Sequence, residues 1–341
     1  MNTLRVGFVG AGGIVLQRHL PGLKNIPGVE FAVVANSTLE SSKRFCQEHA
    51  PGAKPLGSWQ EVVAHPDVDI VWIGATPYLH EPATIAALHH GKHVFCQARM
   101  ARDLAEAERM HAAASERPDR VTMLCPPPHG LTGDRFIREL LGEKVIGDVR
   151  NIHLLSLNGA FSDREKPAHW RQRRETSGLN ILTLGIHTEV IQRWLGDFTP
   201  IRAVGRFDVR ERHGYRVTIP DALRVKIEGA AGFAGTLEFS GVYTQEQVER
   251  LEIAGTTGTL FYDYLADRIS LQHLGKEPEV LPIPQELLGG WTVEADFIDA
   301  VRDPAGARPH PDFTDGVRYM RVVQRVADIL EETVGDEIGE S

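Results

Sequence analysis

The chain has 341 residues, and its 37 Lys and Arg against 46 Asp and Glu give a formal net charge of −9. That balance excludes general affinity for nucleic acid or an anionic membrane surface, because the global field repels polyanions. With 42% hydrophobic and 24% charged residues the composition is that of a globular chain, and the length predicts two domains at ~150 residues each.

The first apolar run, residues 6–9, is too short for a signal segment or a membrane span, and no stretch of ~18 apolar residues follows it. Cys46, Cys96 and Cys125 form no Cys-x-x-Cys pair and read as reduced thiols rather than a disulfide frame or a zinc site. Together these features predict a cytoplasmic protein.

From Leu4 onward short β-branched runs alternate with helical patterns. Strands are expected at residues 4–9, 30–35, 68–74, 93–96 and 121–124. Helices are expected at 14–23, with Pro21 as a break or kink, and at 40–49, 81–90 and 104–115. The run 68–74 is apolar on both faces, as a parallel sheet covered by helices requires. This rhythm predicts a doubly wound parallel sheet with right-handed crossovers. Pro126, Pro127 and Pro128 cannot lie inside a sheet or helix and mark a boundary.

Beyond it, helices are expected at 134–141 and 178–195, then strands at 149–157, 201–209, 222–228, 234–240, 250–254, 259–263 and 268–273. Gly255-Thr256-Thr257-Gly258 reads as a hairpin turn within an antiparallel meander. Residues 295–301 and 316–331 are closing helices. The expected division is therefore a first domain at 1–125, an α+β domain with an open, mainly antiparallel sheet at 126–333, and an acidic tail at 334–341.

Gly10-Ala11-Gly12-Gly13-Ile14 follows the first strand and opens the first helix. Such a turn lets backbone N–H groups approach a pyrophosphate at a helix N-terminus, which predicts a dinucleotide site. No carboxylate ends the second strand: Asn36, Ser37 and Thr38 stand there, with Lys43 and Arg44 a turn beyond, so the reading is NADP or NAD with a lean to NADP. Thr76, Pro77, Tyr78 and His80 follow the apolar third strand, where ligands bind in such sheets. Tyr78 could meet the nicotinamide end, and His80 could do so or cap the next helix. No metal site is expected: His80-Glu81 does not begin a His-Glu-x-x-His motif, and His89 and His90 are adjacent and face apart.

Gly10-x-Gly12, Thr76-Pro77 with His80, Gly91-Lys92-His93-Val94 and the later Gly185-Ile186-His187 together resemble the Gfo/Idh/MocA family of sugar, inositol and related oxidoreductases. The resemblance covers nearly the whole chain. It implies an N-terminal Rossmann domain, a second domain that binds substrate, and face-to-face sheet packing into a homodimer or homotetramer. The run of Leu237, Phe239, Val242 and Tyr243, with Leu251 and Ile253, offers apolar strand residues for such packing.

The departures bear on chemistry. Where the family has Glu-Lys-Pro this chain has Gln97-Ala98-Arg99, and where the family has an Asp four residues before the His it has Thr183. A methyl group cannot relay a proton, and Arg99 supplies only fixed positive charge. His187 is the remaining acid–base candidate. Asn180 and Thr183 are expected on its helix face. Trp170 and Arg171 form an apolar ring beside a fork of donors, a pairing suited to sugars or acids. Lys166 and His169 stand in the same loop, and His129, after the triple proline, is a further candidate.

The reading is an NAD(P)-dependent oxidoreductase that moves a hydride between nicotinamide and a carbinol carbon of a sugar, cyclitol or sugar-like acid. His187 would exchange the hydroxyl proton, and Arg99, Arg171 and Asn180 would orient the oxygens. The alternatives are a redox-assisted lyase, epimerase or glycosidase that recycles its cofactor, and a non-catalytic dinucleotide- or sugar-binding protein.

Overall fold

The computed structural model describes residues 3–303, 305–306 and 308–339, with the side chains of 333–339 outside that description. The chain divides into two compact units, residues 1–126 with 292–317, and residues 127–291 with 318–341.

The first unit is built on β1 (Leu4–Val9), β2 (Val29–Ala35), β3 (Lys54–Leu56), β4 (Ile70–Ile73), β5 (His93–Cys96) and β6 (Thr122–Leu124). All neighbours are parallel, in the order β3-β2-β1-β4-β5-β6. The order reverses between β1 and β4, so the crevice at their carboxyl ends is the ligand position of such a sheet. β4 is fully enclosed: Ile70, Val71, Trp72 and Ile73 are all at 0% exposure. Its Trp72 stacks on Phe95 at 3.8 Å between ring centroids.

Around this sheet lie α1 (Leu20–Lys24), α2 (Leu39–His49), α3 (Trp59–Ala64), α4 (His80–His89) and α5 (Leu104–Ser115). Pro21 does not break the first helix. A π-helical turn, Val15–His19, precedes it, and Pro21 sits in the first turn of α1. A wider turn there accommodates a residue that has no N–H to give and a ring that crowds the carbonyl four residues back. β3 and α3 are absent from the sequence expectation. Pro55 lowers the strand signal, and an edge strand is where a proline is tolerated.

Residues 292–317 return to the first unit, which the expected boundaries do not foresee. The return carries α9 (Val293–Arg302), whose Phe297 packs edge-on against Trp72 at 5.8 Å and Phe95 at 5.7 Å. Burying that ring in the first core is the physical reason for the return.

The second unit contains α6 (Asp134–Gly142), β7 (Val149–Leu157), α7 (Arg174–Ser177), α8 (Leu184–Leu195), β8 (Phe198–Arg206) and a small ribbon of β9 (Glu211–Arg212) and β10 (Tyr215–Arg216). It continues with β11 (Ala222–Gly229), β12 (Ala234–Ser240), β13 (Val248–Gly255), β14 (Gly258–Asp263), β15 (Arg268–His273) and β16 (Glu279–Leu281). Eight strands form one sheet, β16-β15-β14-β13-β7-β12-β11-β8. It is not a plain meander, because β7 lies between β12 and β13, parallel to the first and antiparallel to the second.

Three further corrections follow. The helix expected at 178–195 begins only at Leu184, because Gly178 and Leu182 both take positive φ, +65° and +48°, and interrupt it. The last helix, α10 (Phe313–Gly339), runs past its expected end at 331 into the expected acidic tail, whose last two residues lie outside the described ones. Four of the apolar residues expected to meet a partner subunit are core residues of this chain, Leu237 and Leu251 at 0% exposure, Ile253 at 1% and Phe239 at 2%, while Val242 and Tyr243 are half-buried beyond the end of β12. The alternate positions carry a polar ladder instead, with Glu238 paired to Arg224 at 2.9 Å and His153 at 3.2 Å. Among the described residues, no helix is long and apolar enough to cross a membrane.

Candidate functional site

In the first unit the turn after β1 meets the loop after β4. Gly10 has φ +78°, and a Cβ there would lie 2.8 Å from the Ala75 backbone. Gly74 is equally constrained, since its Cβ would lie 2.4 Å from the Gly10 carbonyl oxygen. Gly12 and Gly13 are different: a Cβ on either would meet nothing within 4 Å. Two glycines that the fold itself does not require, at the opening of a helix, fit a cradle for a pyrophosphate. The exposed Ile14 follows them at 39%.

Asn36, expected at the ribose, holds the glycine turn by accepting the Ala11 N–H at 2.6 Å. Thr38 caps α2 by accepting the Ser41 N–H at 3.1 Å. Ser37 is exposed, as are Lys43 and Arg44 on α2. Thr76 leads into a short 3₁₀ turn, Pro77–Leu79, on which Tyr78 is 42% exposed. His80 turns inward to 0% exposure, with Nδ1 2.9 Å from the Arg99 carbonyl and Nε2 3.0 Å from that of Ala75. Burial drives its imidazole below the ordinary value, against the pull of those carbonyls. His80 is thus a brace between two loops.

After β5 comes Gln97-Ala98-Arg99, with the Ala98–Arg99 peptide cis and Gln97 and Arg99 both buried. Gln97 is held by a buried chain that sequence reasoning missed. Glu294 of α9 faces His19 Nδ1 at 2.5 Å, and the Gln97 side-chain amide meets His19 Nε2. A ring that donates to the carboxylate through Nδ1 accepts from Gln97 at Nε2, so both ring nitrogens are committed. The available signal was Glu294 itself, a carboxylate on the stripe of Val293, Phe297, Ile298 and Val301 that α9 buries.

The second unit gathers another cluster. His187, in the first turns of α8, is at 0% exposure, and its Nε2 lies 3.0 Å from Glu249 Oε2 on β13. The other carboxylate oxygen accepts from Ser156 Oγ on β7 at 2.9 Å, and Ser156 in turn is 2.7 Å from Thr183 Oγ1. Burial pushes the Glu249 carboxyl up, but the hydrogen bond and charge of His187, then His129 and Ser156, outweigh it and hold the group below its ordinary value. His187 Nδ1 has no hydrogen-bond partner among the described residues. The rings of His129 and Tyr264 flank it, with centroids at 4.9 and 5.7 Å. His129, His187 and Glu249 each offer one donor atom within 4.8 Å of the others, a grouping the no-metal expectation did not foresee.

Asn180 does not share a helix face with His187 as expected. Asn180 is buried in the turn before α8, donating its amide to the Ser177 carbonyl at 2.6 Å. Thr183 is the residue before α8, and its carbonyl accepts the His187 N–H at 3.1 Å. Trp170 and Arg171 lie in a 3₁₀ turn with the guanidinium stacked 4.1 Å over the indole. Their neighbour His169 caps that turn, while Lys166 is exposed.

Residues 4–124 match the model of an oxidoreductase family with an NAD-binding Rossmann fold, and residues 135–261 match the GFO/IDH/MocA C-terminal domain. The chain belongs to the Gfo/Idh/MocA oxidoreductase family. It is 24% identical to levoglucosan dehydrogenase of Pseudarthrobacter phenanthrenivorans over 96% of each chain. It is 29% identical to dTDP-3,4-didehydro-2,6-dideoxy-alpha-D-glucose 3-reductase of Actinomadura kijaniata over 60% of this chain and 56% of that reductase. A solved levoglucosan dehydrogenase, in complex with NADH and levoglucosan, shares the fold over 97% of this chain and 98% of its own, at TM-score 0.85 and 19% identity.

Within this family fold the first unit is the NAD-binding Rossmann domain. Glu249 is the other residue that sequence reasoning missed. Its signal was the period of β13: Ile253 and Leu251 face the core, and the same alternation places Glu249 there.

Proposed function

We propose that this Gfo/Idh/MocA protein is an NAD(P)-dependent oxidoreductase acting on a carbinol of a sugar, cyclitol or sugar-like acid, in which His187 exchanges the hydroxyl proton. The observation that carries the reading is an enclosed imidazole bound through one nitrogen to a carboxylate and, among the described residues, unpartnered at the other. The sugar-acting relatives support the substrate class. When bound, the dinucleotide accepts or returns the hydride; Gly10, Gly12 and Gly13 would hold its pyrophosphate. In this reading Arg99, Asn180, Trp170 and Arg171 orient substrate oxygens, and Thr76, Pro77, Tyr78 and Gln97 lie beside the nicotinamide. NADP is preferred over NAD in this reading because no carboxylate follows β2 to repel a 2′-phosphate. A cytoplasmic homodimer or homotetramer belongs to the same proposal.

The test is NADH and NADPH titration followed by absorbance with a panel of sugars and cyclitols. Steady cofactor turnover with at least one of them is expected. Ala98 keeps a second reading in view, since a methyl group stands where the family's lysine would relay a proton. Product formation without net cofactor change would favour elimination or epimerisation with recycling. Cofactor binding with no product from any substrate would reject both.

A further inference from the structure

His187, Glu249, Ser156 and Thr183 come from four places in the second unit, α8, β13, β7 and the turn before α8. Glu249 and Ser156 are directly opposed in the β13–β7 register, both on the inward face, and both buried. A carboxylate there needs its lone pairs satisfied, and it has two donors: Ser156 Oγ at 2.9 Å on one oxygen and His187 at 3.0 Å on the other. An ionised carboxylate only accepts hydrogen bonds, so the facing ring nitrogen, Nε2, carries the hydrogen. The neutral ring then has its bare lone pair on Nδ1, the atom without a protein partner.

We infer that Glu249 is a positioning residue for the proposed reaction: it fixes His187 in the Nε2–H tautomer, so that Nδ1 is the atom that takes up the substrate proton. This rests on the reading of His187 as the acid–base group. In alcohol oxidation a bound dinucleotide would take the carbinol hydrogen as hydride; the O–H bond breaks, and its proton forms the N–H at Nδ1. The carbon–oxygen bond becomes a carbonyl, and the imidazolium that results lies against a carboxylate already in place. Ser156 keeps that carboxylate from turning away. The titratable groups facing the ring are Glu249, His129 and Tyr264, and the remaining ring neighbour is Phe239 at 6.1 Å.

The experiment uses the full chain with ¹⁵N-labelled histidine, the His187 signals being assigned by their loss in His187→Asn. Wild type is expected to report the Nε2–H form, and Glu249→Gln to lose that fixed tautomer. In steady-state oxidation, Glu249→Gln should lower kcat by ~10²-fold with cofactor KM unchanged, and should move the acid limb of the rate profile to lower pH. Ser156→Ala should do the same by several-fold, and serves as the second variant if Glu249→Gln folds poorly. An Nδ1–H form in wild type, an acid limb that stays in place in both variants, or stoichiometric zinc lost on substitution of Glu249 would each overturn the inference. Absence of net turnover in wild type with an Nε2–H ring would instead sink the dehydrogenase reading and leave the hold of Glu249 on His187 standing.

Discussion

Each unit of this chain encloses one histidine against one glutamate, and the two pairs differ in what the far side of the ring does. In the first unit His19 is bound at both nitrogens, to Glu294 and to Gln97. In the second, among the described residues, His187 is bound only at Nε2, to Glu249. A ring committed on both sides has no proton position left to exchange, so His19 is structural. A buried, unpartnered nitrogen costs roughly 1–3 kcal/mol that an apolar side chain would not, and a fold keeps such a cost where the atom has work to do. The pairing with a carboxylate is common to both; the nitrogen left without a partner among the described residues is what the proposed role of His187 uses.

The largest effects should come from removing the two rings' chemistry. His187→Asn is expected to lower turnover by ~10²–10⁴-fold with dinucleotide affinity nearly intact. Steady-state kinetics beside a fluorescence titration of NADH and NADPH would measure both, and an active variant would erase the contrast between the rings. Glu294→Ala should act the opposite way. It strands His19 beside a void and leaves a buried ring N–H without its acceptor, which costs ~1–3 kcal/mol, so the melting temperature should fall. Gly22→Ala should weaken the same pair less, since its Cβ would sit 2.5 Å from the Glu294 carboxylate and displace it. If Glu294→Ala melts like wild type, the chain of Glu294, His19 and Gln97 does not support the first unit.

The glycine turn provides a finer contrast, between residues the fold needs and residues a ligand needs. Gly12→Val projects into open space, so the melting temperature should barely change while dinucleotide affinity falls by ~10-fold or more. Gly10→Ala should destabilise the unit even without ligand, because of its positive φ and its contact with Ala75. Calorimetry on both variants, with and without NADPH, separates the two effects. Equal binding by wild type and Gly12→Val would place the dinucleotide elsewhere.

The same division between fold and site marks what the sequence made legible. Strand β4 could be read because four enclosed apolar residues have few other uses, and the Gly10–Gly13 turn because its place after a strand is diagnostic. The hairpin at Gly255–Gly258 could be read from its glycines, and a two-residue turn does join β13 to β14 there. The helix expected across 178–195 could not be read correctly. The apolar pattern there is helical, but Gly178 ends α7 with φ +65° and Leu182 takes φ +48°, so 178–183 leaves the helix. Glu249 and Glu294 escaped because a glutamate is ordinarily a surface residue. Only the partner that comes from far along the chain, 62 residues away for His187 and 275 for His19, makes the burial intelligible.

The smallest expected effect concerns acid, and it sharpens the comparison of the two units. In the first, His93 Nδ1 accepts the Val121 N–H at 2.9 Å, and burial, with the charge of Arg120, holds the ring neutral with a value lowered to about 4. His80 is lowered in the same direction by burial. A histidine whose folded value lies below its ordinary 6.5 stabilises the fold above pH 6.5, and that contribution drains away as the pH falls toward 4. In the second unit the lowered group is a carboxyl: Glu249 contributes above its ordinary 4.5 and loses that contribution only below it. The exposed His169 is also lowered by burial and the Arg171 charge, but in a surface turn its loss should unfold little. The first unit should therefore loosen before the second between about pH 6.5 and about pH 4.5. Hydrogen exchange, corrected for its intrinsic pH dependence, should show protection falling first in β5 and β6, and His93→Gln should remove most of that early loss. Protection that falls together in both units, or first around β13, would mean that the neutral histidines of the first unit do not set its acid limit.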